Sequence, residues 1–218
     1  MASSLPGWIP PATWALAVAV LAVAARPALA EWRRRAGDGT THVLVLGALA
    51  LAAMRWFNTA PLHGVMLHFL GGTIATLLFG AAAACWLMAL VSVAGVLLGA
   101  SWYGWAADVL VTGMLPVAVS VAASWIAKTW VPRNIFTYVM CNAFGAAALA
   151  MAASMLAKSA VEALLGHHAY AAYLAATPLL MFGEAFFAGT TMALVVVYRP
   201  QWCRGFDDRE YLWPQRRM

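Results

Sequence analysis

Apolar residues run almost unbroken along this chain, in long stretches separated by short polar connections that carry nearly all of the charge. Seven stretches stand out, at about 13 to 30, 43 to 57, 63 to 79, 81 to 100, 106 to 127, 135 to 157 and 170 to 197. A run of about 20 apolar residues matches the thickness of a bilayer core. The pattern therefore predicts an all-α integral membrane protein, with about seven transmembrane helices in one bundle. The span ending at Phe57 is short, and only Gly80 and its neighbours divide the third span from the fourth. Six or eight crossings fit the pattern as well.

Composition agrees with that class: 64% of the 218 residues are hydrophobic and 10% are charged. Basic residues then set the expected orientation, because Lys and Arg near span ends stay on the cytoplasmic side. With seven spans, Arg33, Arg34 and Arg35 share a side with Lys128, Arg133 and the arginines from Arg199 to Arg217, and only Arg55 and Lys158 fall on the other. This bias places the amino terminus outside and the carboxy terminus in the cytoplasm, in a bacterial-type inner membrane. Residues 1–198 are then a polytopic transmembrane domain, and 199–218 a short cytoplasmic tail rich in basic and aromatic residues.

The net charge of +5 is what a cytoplasmic loop and tail beside anionic lipid require, and no nucleic-acid partner is expected. Ala28-Leu29-Ala30 resembles a signal-peptide cleavage site, but three arginines follow the apolar run and none precedes it, so the first span is expected to be retained. The three cysteines, Cys85, Cys141 and Cys203, are too widely spaced for a disulfide framework or a zinc ribbon.

Ionisable or strongly polar side chains inside a span are costly and so mark candidate sites. Four positions qualify: His68, Asp108, Asn142 and Glu184. In the expected orientation His63, His68, Asp108 and the His167-His168 pair all lie toward the outer face. Imidazole is a good ligand for cobalt, nickel, copper and zinc, so this clustering suits capture of a divalent transition metal. His63 and His68 point about 140 degrees apart on an ideal helix. They can share an ion only if the chain departs from helix there, as Pro61 and Gly64 allow. Irregular backbone at membrane depth is tolerated only where protein buries it or it lines a cavity. Gly71 and Gly72 beyond His68 permit close backbone approach. Glu184, at mid-span after Pro178 and Gly183, is either a station on an ion path or a hydrogen-bonded lock between spans, with Asn142 as a candidate partner.

The segment His68 to Gly80, HFLGGTIATLLFG, is similar to a stretch of the substrate-capture membrane subunits of energy-coupling-factor cobalt and nickel transporters, the CbiM/NikM family. Gly7-Trp8-Ile9-Pro10-Pro11 resembles the family's Gly-Phe-Leu-Pro-Pro opening, and Glu184 precedes a last apolar run ending Val197-Tyr198-Arg199. The resemblance implies a transmembrane bundle that captures a transition-metal ion at its outer face and works with a transmembrane coupling subunit and cytoplasmic ATPases. It also implies His68 as a metal ligand, with Co2+ or Ni2+ as bound substrate and no intrinsic cofactor. The family begins Met-His and uses that His and the terminal nitrogens as ligands; here Ala2 and Ser3 stand at the equivalent positions, the mark of a divergent branch. His63, His167, His168 or Asp108 would have to make up the set.

The expected function is thus a permease component for uptake of a divalent transition metal. The alternative is a non-transporting membrane assembly or structural protein that keeps the fold. No phosphate loop is present, so ATP chemistry belongs to partners. No HExxH, GxSxG or paired-carboxylate motif appears either, and no enzymatic activity is expected.

Overall fold

The computed structural model describes residues 9–56, 59–62, 65–97, 101–207 and 211. Among them are seven helices: α1 (Ile9–Gly37), α2 (Thr41–Trp56), α3 (Gly72–Phe79), α4 (Ala81–Leu97), α5 (Trp102–Trp130), α6 (Ile135–Leu164) and α7 (Ala169–Tyr198). Four of them, α1, α5, α6 and α7, are long and apolar enough to cross a membrane, while α2 and α4 are shorter apolar helices. Large apolar side chains face outward all around the bundle, among them Leu16, Val23, Leu46, Leu90, Trp125, Leu179 and Phe182. An apolar surface of that extent is stable only against lipid or protein.

Small residues fill the inside. Ala17, Ala75, Ala84, Ala106, Ala143, Ala146, Ala147, Ala185 and Ala188 are buried. Small side chains let backbones approach closely where hydrocarbon outside removes any hydrophobic drive for association. The main packing runs α6 along α7, α5 along α6 and α1 along α4.

The third expected span departs most from the pattern. Of its described residues only Gly72–Phe79 are helical, a length of about 12 Å at 1.5 Å per residue. Before it comes a short antiparallel ribbon, β1 (Thr59–Leu62) and β2 (Val65–Leu67), pairing Thr59 with Leu67 and Leu62 with Val65. Residues 68–71 then run without regular structure into α3. All eight residues of α3 are buried, so this element is the centre of the bundle rather than one of its walls. Gly71, at φ +68°, makes the turn into the helix in the left-handed region that favours glycine. A β-carbon on Gly72 would meet Cβ of Pro116 at 2.8 Å, so glycine is what lets α3 lie against α5.

The sixth span is longer than its hydrophobic run predicted, because Lys158 and Glu162 continue the helix to Leu164. The first likewise continues to Gly37, where Glu31 pairs with Arg34 at 2.7 Å and Arg35 at 2.8 Å, the three- and four-residue spacings that support helix. Both α5 and α6 contain a π-helical segment, Val109–Met114 and Tyr138–Gly145.

The bundle has two charged ends. At one, Arg35 is 1% exposed; it donates to Glu31, to the Leu78 carbonyl at 2.6 Å and to the Trp202 carbonyl at 2.9 Å, and lies over the Phe79 ring. Arg204 joins Glu31 at 3.2 Å. At the other end Arg55, Asp108, Thr112, Lys158 and His68 gather.

Among the residues described after Tyr198, 199–207 and Tyr211, several are tied to the bundle. The backbone amides of Arg204 and Gly205 donate to the carbonyls of Leu78 and Leu77, which as the last carbonyls of α3 lack helical donors. Phe206 and Tyr211 stack on one another and meet the Tyr138 ring edge-on.

Candidate functional site

The irregular segment 68–71 is held from α7. Gly183 has no side chain to block the Phe69 ring, which would stand 2.8 Å from a β-carbon there. One residue on, the Glu184 carboxylate accepts the Leu70 amide at 2.9 Å and the Gly71 amide at 2.7 Å. Those amides have no helical or strand acceptor, since they sit in the gap between ribbon and helix. A 1% exposed carboxylate and two orphan donors thus satisfy each other. Leu70 also packs against Met151 and Met155 of α6 and Tyr173 of α7.

His68, two residues before, is buried. Its Nδ1 lies 3.0 Å from the Phe69 carbonyl. A carbonyl can only accept, so Nδ1 carries the proton, and in the neutral ring Nε2 keeps its lone pair. Fixing one ring nitrogen as donor to a carbonyl is the usual support of a metal-binding imidazole. Among the described residues Nε2 has no hydrogen-bond partner.

The remaining candidates separate. Asp108 forms an ion pair with Arg55, whose other nitrogen donates to Thr112 Oγ1 at 3.2 Å; Thr112 in turn donates to the Asp108 carboxylate at 3.1 Å. Asp108 is therefore engaged by a cation of its own. His167 binds Glu162 at 2.8 Å, and His168 lies just before α7. Asn142 does not bond Glu184: its Nδ2 donates to Tyr211 Oη at 3.5 Å, which ties it to the tail. His63 falls outside the described residues, as do Ala2 and Ser3. Among the described residues no group of three or more His, Cys, Asp or Glu side chains converges as a metal site.

Two partnerships escaped the sequence. Lys158 sits in electrostatic range of His68, Asp108 and Arg55, and Glu31 with Arg35 fastens α1 to α3 and the tail. The spacing Glu31, Arg34, Arg35 marks an ion-paired helix face, but nothing local says that Arg35 turns inward. Lys158 is legible only as an intramembrane cation.

The family described as the cobalt uptake substrate-specific transmembrane region, CbiM, matches residues 4–202. The chain belongs to that family. Its fold is similar to a crystal structure of a truncated transition metal transporter, at 16% identity and a TM-score of 0.69, with 91% of this chain and 96% of that one covered. Among curated proteins no sequence matches. Membership in the CbiM family makes the chain a membrane transport component rather than a member of an enzyme class.

Proposed function

We propose that this protein is the substrate-capture membrane subunit of a transporter for a divalent transition metal of the cobalt and nickel class. In this reading it stands in an inner membrane with its amino terminus and the His68 end of the bundle outside. Residues 1–198 form the transmembrane domain, and the tail from 199 faces the cytoplasm. A transmembrane coupling subunit and cytoplasmic ATPases supply the energy.

The observation that carries the reading is the cradle at mid-bundle: Glu184 holds the Leu70 and Gly71 amides, and the segment so fixed presents His68 with Nε2 unengaged among the described residues. An irregular backbone buried at membrane depth is a site feature of transport proteins. The metal is cargo, and His68 would be its protein ligand. Glu184 acts by positioning that segment.

Energised uptake of cobalt or nickel by cells carrying the chain with its neighbouring transport subunits tests this. His68→Ala at unchanged membrane abundance is expected to lose at least 90% of uptake. Uptake equal to wild type removes His68 as ligand. No uptake by the wild type in any metal, together with a stable complex with other membrane proteins, favours the alternative of an assembly protein that kept the fold.

A further inference from the structure

One flank of the bundle is open between α1 and α4. The inner face of α1 carries Ala17, Leu21, Ala24, Glu31 and Arg35, and Trp86 Nε1 of α4 donates to the Leu21 carbonyl at 3.1 Å, which pins the two helices together. Beside that seam, Val20, Val23 and Pro27 of α1 and Ala81, Ala82 and Cys85 of α4 line a groove of about 440 Å³. All six side chains are apolar. Val23 is 82% exposed, so the groove opens outward along its length.

At one end the groove meets a cluster of arginines. Arg34 lies seven residues beyond Pro27, on the same face of α1 and about 10 Å further along at 1.5 Å per residue. Arg204 reaches the other wall, where its Cγ would stand 3.4 Å from a β-carbon on Gly80, the residue before Ala81. Both guanidiniums are partly open, with side chains 38% and 54% exposed, and both bind Glu31, which Arg35 shares. Asp38 adds a second carboxylate, 3.3 Å from Arg34. Three guanidiniums on these two carboxylates leave positive charge over, and Arg26, exposed beside Pro27, adds to it. The first amides of α4, at Ala81 and Ala82, lack helical acceptors and carry the positive end of its dipole.

An occupant of the groove must therefore be aliphatic along its length and anionic at one end. A phospholipid is both in one molecule, and a bilayer presents it along the open side. In the proposed orientation the arginine end stands in the cytoplasmic leaflet, where anionic lipid is found.

We propose that the groove between α1 and α4 is a binding site for an anionic phospholipid. One acyl chain lies along Val20, Val23 and Pro27 against Ala81, Ala82 and Cys85, and the phosphodiester pairs with Arg34 and Arg204 at the first turn of α4. The site is separate from His68 and does not depend on metal capture.

Native mass spectrometry of the delipidated full chain in detergent tests this, titrating phosphatidylglycerol, phosphatidylcholine with the same acyl chains, and inorganic phosphate. Circular dichroism and gel filtration check folding. Wild type is expected to bind phosphatidylglycerol at least tenfold tighter than phosphatidylcholine. The double variant Arg34→Gln, Arg204→Gln, in which Arg35 still neutralises Glu31, should lose that preference, and Arg34→Lys with Arg204→Lys should keep it. Val23→Trp, which fills the groove from its exposed rim, should weaken phosphatidylglycerol at least tenfold, while Lys128→Gln on α5 should change nothing. Equal binding of the two lipids overturns the proposal, as does a loss of preference in Lys128→Gln as large as in the double variant. Inorganic phosphate binding as tightly as the lipid overturns it by making the arginines a site for the free anion. Unchanged lipid binding in Val23→Trp overturns it as well, and lost co-purification of a transmembrane coupling subunit in that variant then gives the groove to a protein helix.

Discussion

A carboxylate at the middle of a membrane-spanning helix needs donors or a countercharge, because hydrocarbon supplies neither. Glu184 has two backbone donors, and the same two bonds rescue amides that would otherwise be orphaned in the bundle. Charge-assisted bonds of this kind are each worth about 1.5–3 kcal/mol. Glu184→Gln leaves one acceptor oxygen for two amides, and Glu184→Ala leaves none. Thermal unfolding of the detergent-solubilised protein should therefore rank wild type above Gln and Gln above Ala, with a loss of about 1–3 kcal/mol for each amide left without an acceptor. Equal melting of all three would mean the segment is held by packing alone. The Arg55–Asp108 pair has a similar logic: Asp108→Asn strands the Arg55 charge close to Lys158 and should destabilise more than Arg55→Ala combined with Asp108→Asn. A double-mutant cycle on melting temperature reads that difference.

At the scale of elements, α3 is the keystone. Its entry is fixed by Glu184 from α7, its flank by the hydrogen bond between Thr73 and Ser120 at 2.7 Å, and its exit by Arg35 and the chain after Trp202. A helix of eight residues has no stability of its own, so all of its order comes from these partners. Gly72 is the sharpest probe. Gly72→Val forces a side chain into Pro116 and should cost about 1–3 kcal/mol or more by overpacking. Gly104→Ala is the control, because a β-carbon there meets nothing within 4 Å and the exchange is expected to be neutral or slightly stabilising. Comparable losses at both positions would show that the contact between α3 and α5 is not specific.

For the whole molecule, the consequence is a clasp that joins distant parts of the chain. Glu31 and Arg35 of α1, the last carbonyls of α3 and residues 202–205 close on one another. Cys203, buried beneath the clasp, has its thiol pushed up to about 12 by burial, partly offset by Arg35. Thiolate is the reactive form, so the folded tail should label with maleimide far more slowly than an exposed thiol and faster as pH rises. In a Cys85→Ala, Cys141→Ala background, Arg35→Met opens the clasp and is expected to raise the labelling rate of Cys203 at least tenfold. An unchanged rate would mean that the tail packs without Arg35, through the Tyr138, Phe206 and Tyr211 rings.

Hydrophobicity is a local and additive property, which is why the sequence alone determined the membrane class, the order and approximate extent of the apolar helices, and the family. The cost of burying polar groups is also local, so Glu184 stood out as either an ion-path station or a lock between spans, and the stretch from His63 to Gly72 as a place where helix could fail. Partner choice is not local. The Glu184 carboxylate finds Leu70 and Gly71, 114 and 113 residues away, rather than Asn142, because α7 and the segment before α3 meet at mid-bundle. Asp108 finds Arg55 across 53 residues, which takes it from the set of available ligands. Arg204 and Gly205 of the tail meet the exit of α3, where carbonyls lack helical donors. Only the tertiary structure sets Lys158 beside His68, since that depends on the register in which α5, α6 and the irregular segment pack together.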